Sequence, residues 1–184
     1  MKALTAQVLI VLLSLSFSAL GQTNPNNATL ARTQADEASV LKPAEVAGIL
    51  PATVFFQGKT ASVQSRNSGG IRFGDKSLML VSLIDTSGYS SQVQEKYQAY
   101  LITESAIDID GHRLTPGAYG CGFVNSGFVV MDIGGHDLFT AHTIHDENLH
   151  RPTPLQIIGA PNEPGTYRLY AGRNFVMFRI ATGN

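Results

Sequence analysis

Residues 117–142 read GAYGCGFVNSGFVVMDIGGHDLFTAH, and their punctuation sets the fold class. Apolar and aromatic runs at 118–124, 128–133 and 137–143 are cut by Asn125-Ser126-Gly127 and by Gly134-Gly135. Each run is too short for a helix and rich in Val, Ile, Phe and Tyr, so the stretch reads as three strands joined by tight turns. A Gly-Gly pair between strands predicts a two-residue type I′ turn, since both positions accept positive φ.

The same texture extends in both directions. Further strands are expected at 53–57, 61–65, 70–73, 78–84, 98–103, 106–110, 155–158, 166–170 and 175–180. Residues 42–50 form the one short N-terminal helix, with Pro43 in its first turn and Pro51 as its stop. The segment 88–97 (GYSSQVQEKY) reads as a loop or a single helical turn. Twelve short strands with no long helix predict an all-β domain, an antiparallel β-sandwich or a small β-barrel. Pro116-Gly117-Ala118-Tyr119 recurs as Pro164-Gly165-Thr166-Tyr167, each followed by a strand, a polar turn and an apolar strand. Pro-Gly presets a type II turn at both places.

The N-terminus, MKALTAQVLIVLLSLSFSALGQ, has a cation at Lys2, an apolar stretch at 8–15 and small residues at Ala19 and Gly21. That is the anatomy of a secretory signal peptide over 1–21. The polar stretch 22–40 reads as a flexible linker and 41–184 as a single β-rich domain, secreted or periplasmic. No membrane insertion is expected once the leader is cleaved. Thirteen Lys and Arg stand against 14 Asp and Glu, and no two cations adjoin. A nucleic-acid binder needs a concentrated basic face, so that class is excluded. The lone cysteine, Cys121, has no flanking cation and sits in an apolar strand, which predicts a small buried hydrophobe.

IDGHRLTPGAYG, Ile109 to Gly120, resembles a G-x-x-L-x-P-G-x-Y hairpin of uncharacterised secreted bacterial β-domains. The resemblance implies an exported bacterial β-protein and brings no activity with it. His112 is expected in the turn of that hairpin.

Four of the five histidines fall between residues 134 and 150, GGHDLFTAHTIHDENLH. On one extended strand His136 and His142 lie about 20 Å apart, at about 3.3 Å per residue. Zinc holds its ligands at about 2.0–2.1 Å, so those two cannot share an ion. His142, His145, Glu147 and His150 remain as a candidate zinc set, because the chain must leave the strand near Ile144. A two-residue turn at Gly134-Gly135 would set Met131 against Leu138, Val130 against Phe139 and Phe128 against Ala141. It would also set Asp132 against Asp137, a like-charge pair that destabilises. The clash is relieved by a longer loop, by a shared proton, or by a cation such as Ca²⁺ between the two carboxylates.

No assembled catalytic motif is present. Gly-x-Ser-x-Gly, a P-loop, His-Glu-x-x-His and the cupin-like His-x-His are all missing. The leading expectation is therefore a non-catalytic module that binds a small molecule or a protein. The alternative is a metal-dependent enzyme or metal-binding protein built on the His-rich strand and loop.

Overall fold

The structure is a computed structural model that describes residues 38–181. The expected leader, and the expected linker up to residue 37, lie outside the described residues. The fold is an antiparallel β-sandwich of two open sheets with two short helices. Neither sheet closes on itself, so the barrel alternative does not hold.

The larger sheet runs in the order β1 (Ser39–Leu41), β3 (Lys59–Arg72), β4 (Leu78–Ile84), β5 (Ala99–Thr103), β8 (Gly117–Val124), β9 (Gly127–Met131) and β10 (Asp137–His142). A further strand, β2 (Thr53–Phe56), pairs with the start of β3. The smaller sheet runs β12 (Gln156–Gly159), β13 (Thr166–Ala171), β14 (Asn174–Ile180), β6 (Ile107–Ile109) and β7 (His112–Leu114). The two-residue β11 (Ile144–His145) pairs with the start of β14. Helices α1 (Pro43–Ala47) and α2 (Ser91–Lys96) lie where 42–50 and 88–97 allowed a helix and a helical turn. Among the described residues no helix is long and apolar enough to cross a membrane.

Period-two alternation explains the core. Met79, Val81, Leu101, Cys121 and Val130 of the larger sheet meet Ile109, Tyr167, Leu169, Val176 and Phe178 of the smaller. Burying each large apolar side chain contributes about 1.5–3 kcal/mol. Cys121 is fully buried, and burial pushes its thiol up to about 12.

The larger sheet is also covered on its other face, which the alternation alone does not announce. There β8 presents Gly120 and Gly122 between the inward Tyr119, Cys121 and Phe123. A Cβ on Gly120 would come within 2.5 Å of the Phe56 ring, and one on Gly122 would collide with the Lys96 carbonyl. This flat strip lets Phe56 stack on Tyr97, ring centroids 3.7 Å apart, in a second aromatic core roofed by β2 and α2. A third, smaller cluster joins Leu41, Val46 and Leu80 beneath α1.

Three expectations need correction. The strands expected at 61–65 and 70–73 are one strand, β3, carrying a multi-residue bulge between Val63 and Ser68. The polar residues that suggested a turn bond across it instead: Ser82 Oγ donates to the Gln64 carbonyl (3.1 Å) and Ser68 Oγ to the Ser65 carbonyl (2.6 Å). Second, only one Pro-Gly pair makes the expected turn. Gly165 has φ +77° and Thr166 N–H donates to the Glu163 carbonyl, whereas Gly117 already pairs with Thr103 in the ladder. Third, His112 is a strand residue, because Asp110 and Gly111 take positive φ and make the β6–β7 turn without it.

Candidate functional site

The Gly-Gly hairpin resolves the carboxylate clash by loop length. Asp132 N–H donates to the His136 carbonyl (3.0 Å) and Gly135 N–H to the Asp132 carbonyl (3.0 Å), which closes a three-residue loop. Only Gly135 has positive φ, +87°, where a type I′ turn needs two such residues. Leu138 is then an extra, bulged residue, so Met131 faces Asp137 while Val130 faces Phe139 and Phe128 faces Ala141. Asp132 turns back on its own loop and accepts the His136 N–H (2.9 Å), which holds its carboxyl below the usual range. Asp137 instead pairs with Lys96 of α2. The two carboxylates proposed as a Ca²⁺ site therefore have different partners.

Beyond the bulge β10 is regular to His142, and the chain then crosses to the other sheet as β11. His142 is exposed, and its backbone N–H donates to Asp110 Oδ2 (2.8 Å). His145 Nδ1 lies 2.7 Å from Asn174 Oδ1. Glu147 and His150 are exposed, and the Glu147 carbonyl accepts from Arg173 (3.0 Å). Arg173 also donates to the Leu149 carbonyl (2.7 Å). Asp146 accepts from the Tyr170 hydroxyl (2.8 Å), which holds its carboxyl low. Arg168 lies 4.7 Å from the centroid of the Phe175 ring beside it. The hollow over this loop is about 360 Å³ and open. Among the described residues no three His, Cys, Asp or Glu side chains gather as a metal site.

Of the other hollows among the described residues, a small one of about 120 Å³ lies beside Asp108, Asp110 and Arg179, and two are larger. The first, about 390 Å³, lies between α2, the β2–β3 turn and the Gly-Gly loop. Its charged groups are Glu95 and the Lys96–Asp137 pair, and its apolar contributors Phe56 and Met131 are almost wholly covered, at 1% and 3% exposure. Half-buried Val93 adds apolar surface, but the cleft's one cation is already paired with Asp137.

The second is a groove of about 370 Å³ at the seam where β1, on one sheet, meets β12, on the other. Val40, Leu41, Leu155 and Ile157 give it apolar walls, and Gly69 draws β3 close to Ile157. Lys42 stands at the entry to α1 and Arg66 on the β3 bulge, both exposed. Neither makes an ion pair with a described residue. Gln156 also lines it, but its side chain alternates to the face of β12 opposite the core-facing Ile157, beside Tyr170, where its Nε2 is buried without a hydrogen-bond partner. A buried polar atom left unpaired costs about 1–3 kcal/mol. Apolar walls with a few unsatisfied polar groups are what a small-molecule site offers.

The sequence reading missed this groove. Residues 40, 66 and 156 become neighbours only when β1 and β12 meet across the seam. The one local signal was the polar interruption Ser65-Arg66-Asn67-Ser68, which proves to be a bulge inside a strand. Comparison with protein-family models, with curated proteins and with solved structures gives no match.

Proposed function

We propose that this chain is an exported, non-catalytic binding module that holds a small ligand in the seam groove between β1 and β12. The observation that carries the reading is the pair of exposed cations, Lys42 and Arg66, without an ion-pair partner among the described residues, beside the apolar Val40, Leu41, Leu155 and Ile157. Apolar walls with charged groups at the rim are the composition of a small-molecule site. Export rests on Lys2, the apolar stretch 8–15 and the small residues at Ala19 and Gly21.

The test uses a neutral apolar probe, N-phenyl-1-naphthylamine, titrated into isotope-labelled protein while backbone amides are followed by NMR. Shifts centred on Val40, Ser68, Gln156 and Ile157, reduced by Val40→Asp, are expected. Val40 is 43% exposed, so that variant leaves the core intact. A probe that moves none of those amides sinks the reading.

A further inference from the structure

We infer that the seam groove takes an anionic amphiphile, one apolar chain ending in a single negatively charged headgroup. This rests on the reading of the groove as the binding site.

Charge supplies the first argument. Among the described residues no Asp or Glu lines the groove, while Lys42 and Arg66 both do. The nearest acid in sequence, Glu45, is occupied in α1, where its carboxylate accepts the Lys42 backbone N–H (2.8 Å). The chain as a whole carries a formal charge of −1, so a groove with only cations is a local departure. The α2 cleft has the opposite balance, two carboxylates to one lysine.

Hydrogen-bonding character is the second. The hydroxyls in the lining are already engaged: Ser68 Oγ donates to the Ser65 carbonyl and Thr153 Oγ1 to the Leu155 carbonyl (3.2 Å). The two charged groups of the lining, the Lys42 ammonium and the Arg66 guanidinium, are donors without a partner among the described residues. An ionised carboxylate or phosphate is the matching acceptor, and charge-assisted bonds to it are the strong kind. The third argument is the wall: exposed Val40 stands beside the nearly buried Leu41, Leu155 and Ile157, an apolar patch next to the two cations.

The test compares decyl probes that differ only in headgroup, each below its micelle-forming concentration and followed at the same amides. Decanoate and decyl phosphate are the anions, decan-1-ol is neutral and decyltrimethylammonium is the cation. At least one anion should bind about tenfold or more tighter than the alcohol and the cation, and the tighter anion names the headgroup. The double variant Lys42→Gln/Arg66→Gln should remove that preference, as should high salt. An alcohol or cation that binds as tightly as both anions overturns the ligand class and leaves the binding module standing. So does naphthylamine binding with no decyl probe bound. Loss of naphthylamine binding as well removes the site itself.

Discussion

The loop after β10 and the seam groove differ in how their polar atoms are used. The loop holds His145, Asp146, Glu147 and His150, with Arg168, Tyr170 and Arg173 close by, as dense a set of reactive side chains as the chain possesses. Several are bonded within the protein, Asp146 to Tyr170, His145 to Asn174 and Arg173 to the loop carbonyls, while Arg168 Nε is buried without a partner. The groove has two cations, and those lack ion-pair partners among the described residues. Residue chemistry alone points to the loop, and unsatisfied residue chemistry points to the groove. The second criterion is the sounder guide, because a group already satisfied internally gains little by binding something else.

The sharpest way to break this contrast is at Arg173. If the loop is a structural strap, Arg173→Ala removes charge-assisted bonds to three carbonyls, those of Asp146, Glu147 and Leu149, and should lower stability by about 2 kcal/mol. Urea unfolding measures it. A loss below about 0.5 kcal/mol would mean that the strap holds nothing and its residues are available for another role.

Asp146 sharpens the same point through pH. The Tyr170 hydroxyl, the main cause, and then the loop backbone and Arg168 depress its folded pKa. A depressed carboxylate stabilises above its unfolded pKa of about 3.9, and that contribution disappears as pH falls through the folded value. Asp146→Asn should therefore be less stable than the wild type at neutral pH and should approach it as pH drops below about 4. Asp75, Asp85 and Asp132 are depressed too, so part of the acid sensitivity persists in the variant. Parallel stability curves for the two proteins across that range would remove Asp146 from the strap.

These residues also show how far the sequence carried. Alternation in 117–142 determines the strands and the apolar register Val130–Phe139 and Phe128–Ala141, because burial of one face enforces it. Loop length at Gly134-Gly135 was not determined, since Asp132 competes for the turn by accepting a backbone N–H from His136. The 14-residue β3 was hidden for a related reason, its polar middle bonding across a bulge where a turn was the simpler expectation. The short edge strands β1, β7 and β11 carry too few residues to show a period. The groove was invisible because it is made by one sheet edge meeting the other, and no local pattern encodes that meeting.

A smaller effect separates the regions from the groove side. Lys42 and Arg66 are exposed and have no ion-pair partner among the described residues. Lys42→Gln/Arg66→Gln should therefore change unfolding stability by no more than about 0.5 kcal/mol, against the larger cost of Arg173→Ala. A loss comparable to that of Arg173→Ala would show the two cations to be structural after all, and the contrast between loop and groove would fail.

The smallest expected effect concerns metal. His142 and His145 sit on opposite sides of the crossing between the sheets, and His145 Nδ1 already has Asn174 as partner. A ligand that binds only the folded state at a hundred times its Kd stabilises by about 2.7 kcal/mol. For a chain of this size each kcal/mol moves the melting midpoint by about 2–4 °C. A converged site for zinc would thus raise the midpoint visibly, and His142→Ala/His145→Ala would abolish the rise. The geometry leads us to expect that zinc leaves the midpoint where it was, in the wild type and the double variant alike. A rise of several degrees confined to the wild type would mean that the loop reorganises to bring its imidazoles together, releasing Asn174 and reversing the ranking of the two regions.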